Sequence, residues 1–391
     1  MIDQQQPAPG KIILFGSGET SPTGRKIFEQ VFRSLPMSPR LALLETPAGF
    51  QPNSHQVISS VGDFFTHRLQ NYSPQVNIIP ARHRGTLLSP DAPDIVAPIL
   101  NANMIFMGPG SPTYAIRQLR ESLALNYMIA RHFLGACLAF ASAATIAVSA
   151  YALPVYEIYK VGEELHWIKG LDLFNYYGLK LVFIPHWNNC EGGEQLDTSR
   201  CFMGKERFSR LCDTLPEAMT IVGLDEKTAL ILDPGSGECH VIGLGNITLL
   251  QPAEASDHSK ITHPFMHDNL NKSQTDFDLL EISRKSNRQI KIYRDGQNFS
   301  ASELGSFHTF HPETSIPPAI WRTALEANST QEITASQLPT DEVMDLIQER
   351  EVARNCRDWS TADKLREQLA KLGWEVVDTI DKPIIRKMHS P

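Results

Sequence analysis

Ser142 is the residue whose surroundings point most directly to chemistry. It follows the apolar run of residues 136–141, has alanines on both sides and is followed at once by helix-forming residues. This order is typical of a nucleophile elbow, in which a buried strand ends, one residue turns sharply and a helix begins. Small neighbours are needed there because a larger side chain would collide with the next strand or the substrate. Ser142 is therefore predicted to be a nucleophile, with the N–H of Ala143 at the helix start binding an oxyanion.

The composition is that of a soluble globular enzyme. The 391 residues suffice for two or three domains, and 42% are hydrophobic and 20% charged. A net charge of −8 gives no global basic field of the kind that attracts nucleic acid. The sequence shows no signal-peptide layout or membrane-spanning apolar stretch, and its six cysteines include no CxxC pair. We therefore expect a reduced, cytoplasmic protein that does not bind a membrane.

Five apolar runs alternate with helical patterns in the first part of the chain. They are residues 11–16, 41–46, 104–107, 135–141 and 179–185. Continuous apolar runs are typical of strands buried on both faces, so the pattern predicts an α/β fold with a doubly wound, mostly parallel sheet between helical layers. Glycine-rich loops follow several of the runs. Because ligands bind at the carboxyl ends of such strands, the site is expected among these loops.

The rest of the chain has a different character. Residues 222–250 predict a hairpin with a Pro234-Gly-Ser-Gly turn. Residues 251–340 are more polar and predict an irregular linker or insert, with a short helix near residues 318–328. Residues 341–391 predict a separate helical unit that ends in a short strand. The predicted domains are therefore 1–250, 251–340 and 341–391.

Several motifs resemble those of the cyanophycinase and aspartyl-dipeptidase (dipeptidase E) serine peptidases, whose fold is similar to that of class I glutamine amidotransferases. The family elbow reads Gly-x-Ser-Ala-Gly-Ala, and here Phe140-Ala-Ser-Ala-Ala-Thr145 carries Phe140 and Ala144 at the two glycine positions, with Ser149 four residues after Thr145. An apolar strand then leads to His186. The family's Gly-Ile-Asp-Glu-x-Thr-Ala is matched by Gly223-Leu-Asp-Glu-Lys-Thr-Ala. The resemblance covers roughly residues 10–250.

This resemblance implies a serine hydrolase that cuts a peptide or other amide bond, with a Ser142–His186–Glu226 triad. A serine hydroxyl needs a neighbouring base, and an imidazole can serve near neutral pH. The carboxylate of Glu226 would hold the imidazole in the useful tautomer and stabilise its cation. The second oxyanion donor is expected from Gly108 or Gly110.

Substrate contacts are expected from three residues, Glu19, Arg200 and Arg207. The resemblance places an arginine-rich segment after the histidine, and Arg200 and Arg207 lie there beyond an insert at residues 188–197. Glu19 follows the first apolar run and has two interpretations, a pocket residue or a cap of the next helix, of which capping is favoured. The expected substrate is a small peptide or amide.

Each proposed triad member also has a structural interpretation. Ser142 could cap a helix, His186 could end a strand, and Glu226 could be an exposed turn residue. The altered elbow glycines favour the alternative that the fold is a non-catalytic binding module.

Cys137 is a competing nucleophile. Gly135-Ala-Cys-Leu-Ala-Phe resembles the Gly-x-Cys-x-Gly elbow of class I glutamine amidotransferases, which also use a histidine and a glutamate. Ser142 is preferred because Gly135 can end the preceding helix, which leaves residues 136–141 for the strand. No metal or cofactor is expected, since a nucleotide-loop motif is absent and no common zinc spacing is found among His186, Cys190, Glu191, Glu194 and Cys201.

The tail resembles the C-terminal helical hairpin of cysteinyl-tRNA synthetases. The matching motifs are Arg350-Glu-Val-Ala-Arg, Asp358-Trp, Ala362-Asp-Lys-Leu-Arg and Leu372-Gly. Ser360 is predicted to cap the second helix, Ala362, Leu365 and Leu369 to form its apolar face, and Gly373 to end it. The HxGH and KMSKS signatures of a synthetase are absent, so a functional tRNA synthetase is not expected. A protein partner and an RNA partner for residues 341–391 both stay open.

Overall fold

A computed structural model describes residues 8–252, 288–308, 316–336, 341–377 and 384–387. The chain divides into two compact units, residues 1–325 and 326–391. The strands of the described residues are β1 (Ile12–Phe15), β2 (Arg40–Leu44), β3 (Gln75–Ile79), β4 (Met104–Met107), β5 (Cys137–Ala141), β6 (Tyr151–Ala152), β7 (Ile168–Lys169), β8 (Leu181–Ile184), β9 (Thr220–Leu224), β10 (Thr228–Asp233), β11 (Glu238–Gly243), β12 (Asn246–Pro252), β13 (Arg288–Arg294), β14 (Asn298–Ser300), β15 (Trp374–Val377) and β16 (Ile384–Lys387). The α-helices are α1 (Pro22–Arg33), α2 (Ser54–Arg68), α3 (Pro93–Val96), α4 (Pro112–Leu119), α5 (Leu123–Phe133), α6 (Ala143–Ala147), α7 (Gly204–Asp213), α8 (Pro318–Ser336), α9 (Asp341–Asn355) and α10 (Trp359–Lys371).

The larger sheet of the first unit has the strand order β14-β11-β10-β1-β5-β4-β2-β3. Strands β1, β5, β4, β2 and β3 are parallel, and β10, β11 and β14 extend the sheet in antiparallel fashion. Helices α1 and α2 pack on one face, where Ile13 and Phe15 point. The alternate residues Leu14 and Phe140 are also fully buried, so both faces are covered. The predicted α/β fold with a doubly wound, mostly parallel sheet is confirmed.

The register of β1 and β5 places two functional loops side by side. Phe15 lies opposite Ala141 as the last pair of the two parallel strands. The residues that follow, Gly16 and Ser142, therefore leave the same edge of the sheet next to each other. This is the carboxyl edge at which ligands of parallel sheets bind.

The fifth apolar run forms β8, but this strand does not join the larger sheet. It belongs to a four-stranded sheet with the order β13-β12-β9-β8, in which β8 and β9 are parallel. Its other edge is hydrogen-bonded to the chain after α6, since Phe183 N donates to Ser149 Oγ at 2.9 Å and Ala150 N donates to the Leu181 carbonyl at 2.8 Å. An apolar run predicts a buried strand but does not specify its partners.

The predicted hairpin is present as β10 and β11, joined by residues 234–237. The prediction for residues 251–340 differs from the structure. Strands β13 and β14 lie in this range and pair with β12 and β11, so residues 288–300 are regular structure of the first unit. The helix expected near residues 318–328 extends over Pro318–Ser336. Strand β13 was not predicted because one of its faces is partly exposed, so that polar residues alternate with apolar ones and no continuous apolar run is present.

The second unit contains the hairpin of α9 and α10 and the antiparallel pair of β15 and β16. The predicted apolar face of α10 is buried. The N-cap is Asp358, whose Oδ1 accepts from Thr361 N at 3.1 Å. The prediction of Ser360 was wrong because the aspartate two residues earlier already caps the helix. Gly373 follows the helix with φ of +82°, as its predicted role requires. None of the helices in the described ranges has the length and hydrophobicity needed to cross a membrane.

Candidate active site

Ser142 forms a sharp turn between β5 and α6. Its φ of 53° and ψ of −112° are unusual for a residue with a side chain. Phe140 and Ala144, which replace the family's elbow glycines, are both fully buried, and the turn forms in spite of them. Thr145 holds the turn in place, since its hydroxyl lies within donating distance of two carbonyl oxygens, those of Phe15 at 3.0 Å and Phe140 at 2.9 Å.

His186 follows β8 and faces the serine hydroxyl. Its Nε2 lies 2.9 Å from Ser142 Oγ. The backbone of His186 is held on two sides, because its N–H donates to the Gly16 carbonyl at 3.2 Å and its carbonyl accepts from Cys201 N at 3.2 Å. The main chain of His186 is thus fixed to the loop that follows β1 and to Cys201.

Glu226 completes a hydrogen-bonded series with these two side chains. It follows β9, and its Oε1 lies 2.9 Å from His186 Nδ1 and 3.0 Å from Asn189 Nδ2. The hydrogen bond from His186 is the main cause that lowers the pKa of Glu226, and burial opposes it. The carboxylate is therefore kept ionised, as an orienting group for an imidazole must be.

The loop after β4 lies beside the elbow, because β4 and β5 are adjacent in the sheet. A Cβ on Gly110 would lie 2.0 Å from the Pro47 carbonyl oxygen, and the φ of Gly110 is +152°, so glycine is required there. Ser111 N donates to the same carbonyl at 2.9 Å. The N–H groups of Gly108 and Gly110 remain the expected partners of Ala143 N–H in binding an oxyanion.

Arg200 does not have the position that a substrate contact needs. It is 2% exposed, and its guanidinium lies 4.0 Å from the centre of the Trp187 ring and donates to the Trp187 carbonyl at 2.9 Å. The indole in turn packs on β9, where a Cβ on Gly223 would come within 2.4 Å of it. The burial of Arg200 contradicts the predicted contact with substrate, because the guanidinium packs on Trp187 in the core.

Arg207 lies closer to the surface and holds the chain beside the imidazole. It donates to the carbonyl oxygens of Phe202 at 2.8 Å and Met203 at 2.7 Å. The Phe202 ring lies 6.0 Å from the His186 ring and 5.3 Å from that of Tyr159. The Phe202 ring, with Tyr159 packed against it, thus lies next to the imidazole.

Three successive residues that end at Phe202 have left-handed backbone conformations. The φ values of Arg200, Cys201 and Phe202 are 55°, 57° and 68°. Such conformations cost about 1–3 kcal/mol each in a residue with a side chain. The hydrogen bonds of Arg200 N to the Trp187 carbonyl and of Cys201 N to His186 hold the segment in place.

Glu19 does not cap α1, although capping was the favoured interpretation. Ser21 is the N-cap, and its hydroxyl accepts from Gly24 N at 3.2 Å. Glu19 precedes the cap by two residues and lies in the loop that leaves the carboxyl end of β1. The better capping residue, serine, occupies the position that the helix geometry selects.

The loop of Glu19 packs against the loop of Glu226. A Cβ on Gly16 would lie 2.1 Å from the Asp225 carbonyl oxygen, so the two loops cross at a glycine. Burial raises the pKa of Glu19, and the nearby His186 acts in the opposite direction. Glu19 is therefore a carboxyl group close to the imidazole, and its contact with a substrate stays a prediction.

The fold resembles that of a known peptidase. A crystal structure of a peptidase from an acI-B1 Actinobacterium covers 76% of this chain and 98% of its own length, with a TM-score of 0.54. The sequence identity is 17%, so the likeness shows the fold. The fold predicted from the motifs around Ser142 is confirmed by this neighbour.

The tail is similar to a domain of a different enzyme class. Residues 339–382 match the family described as the cysteinyl-tRNA ligase anticodon binding domain. The cysteine–tRNA ligase of Chlamydia felis is 41% identical over 64 residues, 16% of this chain and 12% of the ligase. That of Methanosarcina mazei is 48% identical over 46 residues, 12% of this chain and 10% of the ligase. The chain thus spans about a tenth of the length of these relatives, in the region where the resemblance was predicted.

Cys137 is excluded as the nucleophile by its position. It begins β5, whereas Ser142 follows the end of that strand, so the two are about 16 Å apart along it. The thiol packs in the core with α1 and α2, and burial raises its pKa to about 11. Within the described ranges, His, Cys, Asp and Glu side chains form no group of three or more that could hold a metal.

Thr145→Val is expected to loosen the elbow. The variant keeps the shape of the side chain but leaves the carbonyl oxygens of Phe15 and Phe140 without this donor, which should lower the free energy of unfolding by about 1–3 kcal/mol. Urea denaturation of the variant measures the change. Thr66→Val is the matched control, since the Thr66 hydroxyl bonds within α2 to Gly62. Equal stability of the Thr145 variant and the unmodified protein would contradict the anchoring role.

Proposed function

We propose that the protein is a serine hydrolase that cuts a peptide or other amide bond. The observation that carries the proposal is the hydrogen-bonded series from Ser142 through His186 to Glu226. The series lies at the carboxyl edge of a doubly wound sheet, on a turn that exposes the serine to ligands. The fold of a peptidase supports the same class of reaction.

In the first half of the reaction, Ser142 Oγ attacks the carbonyl carbon of the amide. His186 Nε2 takes the hydroxyl proton as the new C–O bond forms. Glu226 accepts a hydrogen bond from Nδ1–H, so that the lone pair of Nε2 faces the serine. The negative charge of Glu226 also stabilises the imidazolium that results.

The carbonyl oxygen then carries the negative charge of the tetrahedral intermediate. Ala143 N–H, at the first position of α6, has no partner within the helix and would donate to this oxygen. The loop of Gly108 and Gly110 would supply the second N–H. Collapse of the intermediate breaks the C–N bond as His186 gives its proton to the leaving amine. Water, deprotonated by the same imidazole, hydrolyses the acyl-enzyme and restores Ser142.

Glu19 and Arg207 are the candidate substrate contacts that the geometry leaves available. Glu19 is close enough to His186 for the charge of the imidazole to act on the pKa of its carboxyl group. Arg207 donates to the backbone carbonyl oxygens of Phe202 and Met203, and the Phe202 ring lies 6.0 Å from the His186 ring, so this arginine lies one residue contact away from the imidazole. A small peptide or amide is the substrate class.

A peptide digest identifies both activity and specificity. The purified protein is incubated with a mixture of synthetic peptides, and new amino termini are identified by mass spectrometry. Cleavage by the unmodified protein that Ser142→Ala lacks would support the hydrolase. Equal cleavage by both proteins, or binding of peptides without cleavage, would contradict it and favour the binding-module alternative.

We propose as a second function that the helical hairpin binds tRNA. The match to an anticodon binding domain supports this proposal. A further observation is that Trp359 is 58% exposed and has the Arg354 guanidinium 5.9 Å from its ring centre. An exposed aromatic ring with an arginine over it is a platform on which an unpaired base can stack.

Fluorescence anisotropy with labelled tRNA tests this function. Trp359→Ala is expected to raise the Kd by about tenfold, because stacking contributes roughly 1–3 kcal/mol per base. Val352→Ala, a similarly exposed apolar residue on α9, is the matched control. Deletion of residues 341–391 should abolish binding and leave the thermal unfolding of the first unit unchanged. Binding that survives this deletion would contradict the proposal.

A further inference from the structure

We propose that Asn189 is a positioning residue, whose side-chain amide fixes the carboxylate of Glu226 in the orientation that holds His186 for catalysis. The inference rests on the hydrolase function proposed above and adds a residue outside the triad pattern. Asn189 lies in the insert of residues 188–197, for which no motif predicts a function.

Two donors meet at one carboxylate oxygen. Asn189 Nδ2 lies 3.0 Å from Glu226 Oε1, and His186 Nδ1 lies 2.9 Å from the same atom. Asn189 is 3% exposed, whereas the side chain of Glu226 is 30% exposed. A partly exposed carboxylate can rotate towards water, and a buried amide bound to it opposes this rotation. The oxygen that orients the imidazole is therefore itself held in place.

The orientation of the Asn189 amide follows from its other contacts. Glu191 N donates to Asn189 Oδ1 at 3.2 Å, so the carbonyl end is occupied and the NH₂ end faces Glu226. Asn189 N also donates to the His186 carbonyl oxygen at 3.1 Å. One residue is thus tied to the backbone of the histidine and to the side chain of the glutamate.

Asn188 strengthens the same connection at a second point. Its Oδ1 accepts from the backbone N–H of Glu226 at 2.8 Å. Two successive asparagines therefore hold Glu226, one by its main chain and the other by its carboxylate. Such supporting hydrogen bonds decide whether a reactive group keeps its working geometry.

The side-chain amide of Asn189 is an uncharged donor to Glu226, whereas several neighbours of Glu226 are titratable. Lys227 contributes to the lowered pKa of Glu226, and Glu226 contributes to the raised pKa of Asp225. The titratable groups whose charges interact with the Glu226–His186 pair are Glu19, Cys201, Asp225 and Lys227. Removal of the Asn189 amide changes the orientation of the carboxylate without a change in net charge, which separates positioning from general electrostatics.

The rate of covalent labelling by a fluorophosphonate probe gives the test. Ser142 Oγ forms a bond to phosphorus, the P–F bond breaks, fluoride leaves and His186 takes the hydroxyl proton. Asn189→Ala is expected to label about tenfold more slowly. A loss of about this size is found when the hydrogen-bond partner that orients a metal-ligating side chain is removed, and Asn189 orients Glu226 in the same way. Asn175→Ala, an exposed site on the turn Leu173–Tyr177, is the control and should label at the unmodified rate.

Asn189→Asp adds a readout that a merely structural role would not change. The variant has the same shape but places a second carboxylate beside Glu226 Oε1, which raises the pH at which the pair takes up a proton. Labelling requires the pair without this extra proton, so that His186 Nε2 keeps a free lone pair, and it should therefore be lost at a higher pH than in the unmodified protein as the solution is acidified. The fall of the labelling rate on the acid side of the pH profile, the acid limb, is expected to move by about one pH unit.

Three outcomes are distinguishable. Slower labelling of Asn189→Ala together with the displaced acid limb of Asn189→Asp supports the proposal. Unmodified rates and an unmodified pH profile in both variants overturn it and leave the hydrolase function intact, because Ser142 still reacts. Absence of Ser142-dependent labelling in the unmodified protein overturns the hydrolase function and this inference together.

Discussion

His186→Gln is expected to slow the labelling of Ser142 by a fluorophosphonate by about 10⁴-fold. The imidazole is the only side chain bonded to Ser142 Oγ among the contacts of the described residues, and glutamine cannot accept the proton at neutral pH. Loss of the base in a serine triad removes most of the rate acceleration, and the remainder comes from the oxyanion donors and binding. The second-order rate constant of labelling measures the effect.

The control for this variant is His55→Gln, a substitution on the exposed face of α2, far along the chain from the proposed series. It should label at the unmodified rate. A His186→Gln protein that labels within tenfold of the unmodified rate would show that another group activates the serine.

Glu226→Gln is expected to lower the same rate constant on the order of 10³-fold. Glutamine keeps the shape of the side chain but carries no charge to stabilise the imidazolium. It can also donate from its NH₂ group to His186 Nδ1, which would place the imidazole proton on Nε2. The protonated Nε2 could then not accept the proton of Ser142. Both effects act on the same step.

Two comparisons sharpen the result for Glu226. Glu217→Gln, at an exposed position after α7, should leave the rate unchanged. The double variant with His186→Gln should be scarcely slower than His186→Gln by itself, because residues that act as a unit are not additive. Fully additive losses would mean that Glu226 affects labelling by a route other than the imidazole.

The elbow pattern of the sequence indicated Ser142, and the motifs that resemble the serine peptidase family indicated His186 and Glu226. Each follows an apolar strand, and each strand ends in a residue type that the chemistry requires: a serine after β5, a histidine after β8 and a glutamate after β9. The positive φ values of Ser142 and His186 lie at these strand ends, where the chain must turn abruptly. The resemblance of these motifs to those of the serine peptidase family, in the same order along the chain, therefore predicted which side chains meet.

The supporting contacts could not be predicted in the same way. Arg200 has the residue type of a substrate-binding group, but its stacking on Trp187 depends on the space that Gly223 leaves in a different strand. Asn189 lies in an insert with no motif, and its role depends on how close that insert comes to the loop after β9. Both contacts depend on how segments distant in sequence pack together. The order of residue types along the chain gives no direct information on this packing.

The site of covalent attachment tests the central claim most directly. The unmodified protein is treated with a fluorophosphonate, digested, and analysed by tandem mass spectrometry for the residue that carries the phosphonyl group. We expect a single adduct on Ser142, absent from Ser142→Ala and strongly reduced in His186→Gln. An adduct on another residue such as Ser149, or labelling that persists in Ser142→Ala, would contradict the assignment of Ser142 as the activated nucleophile.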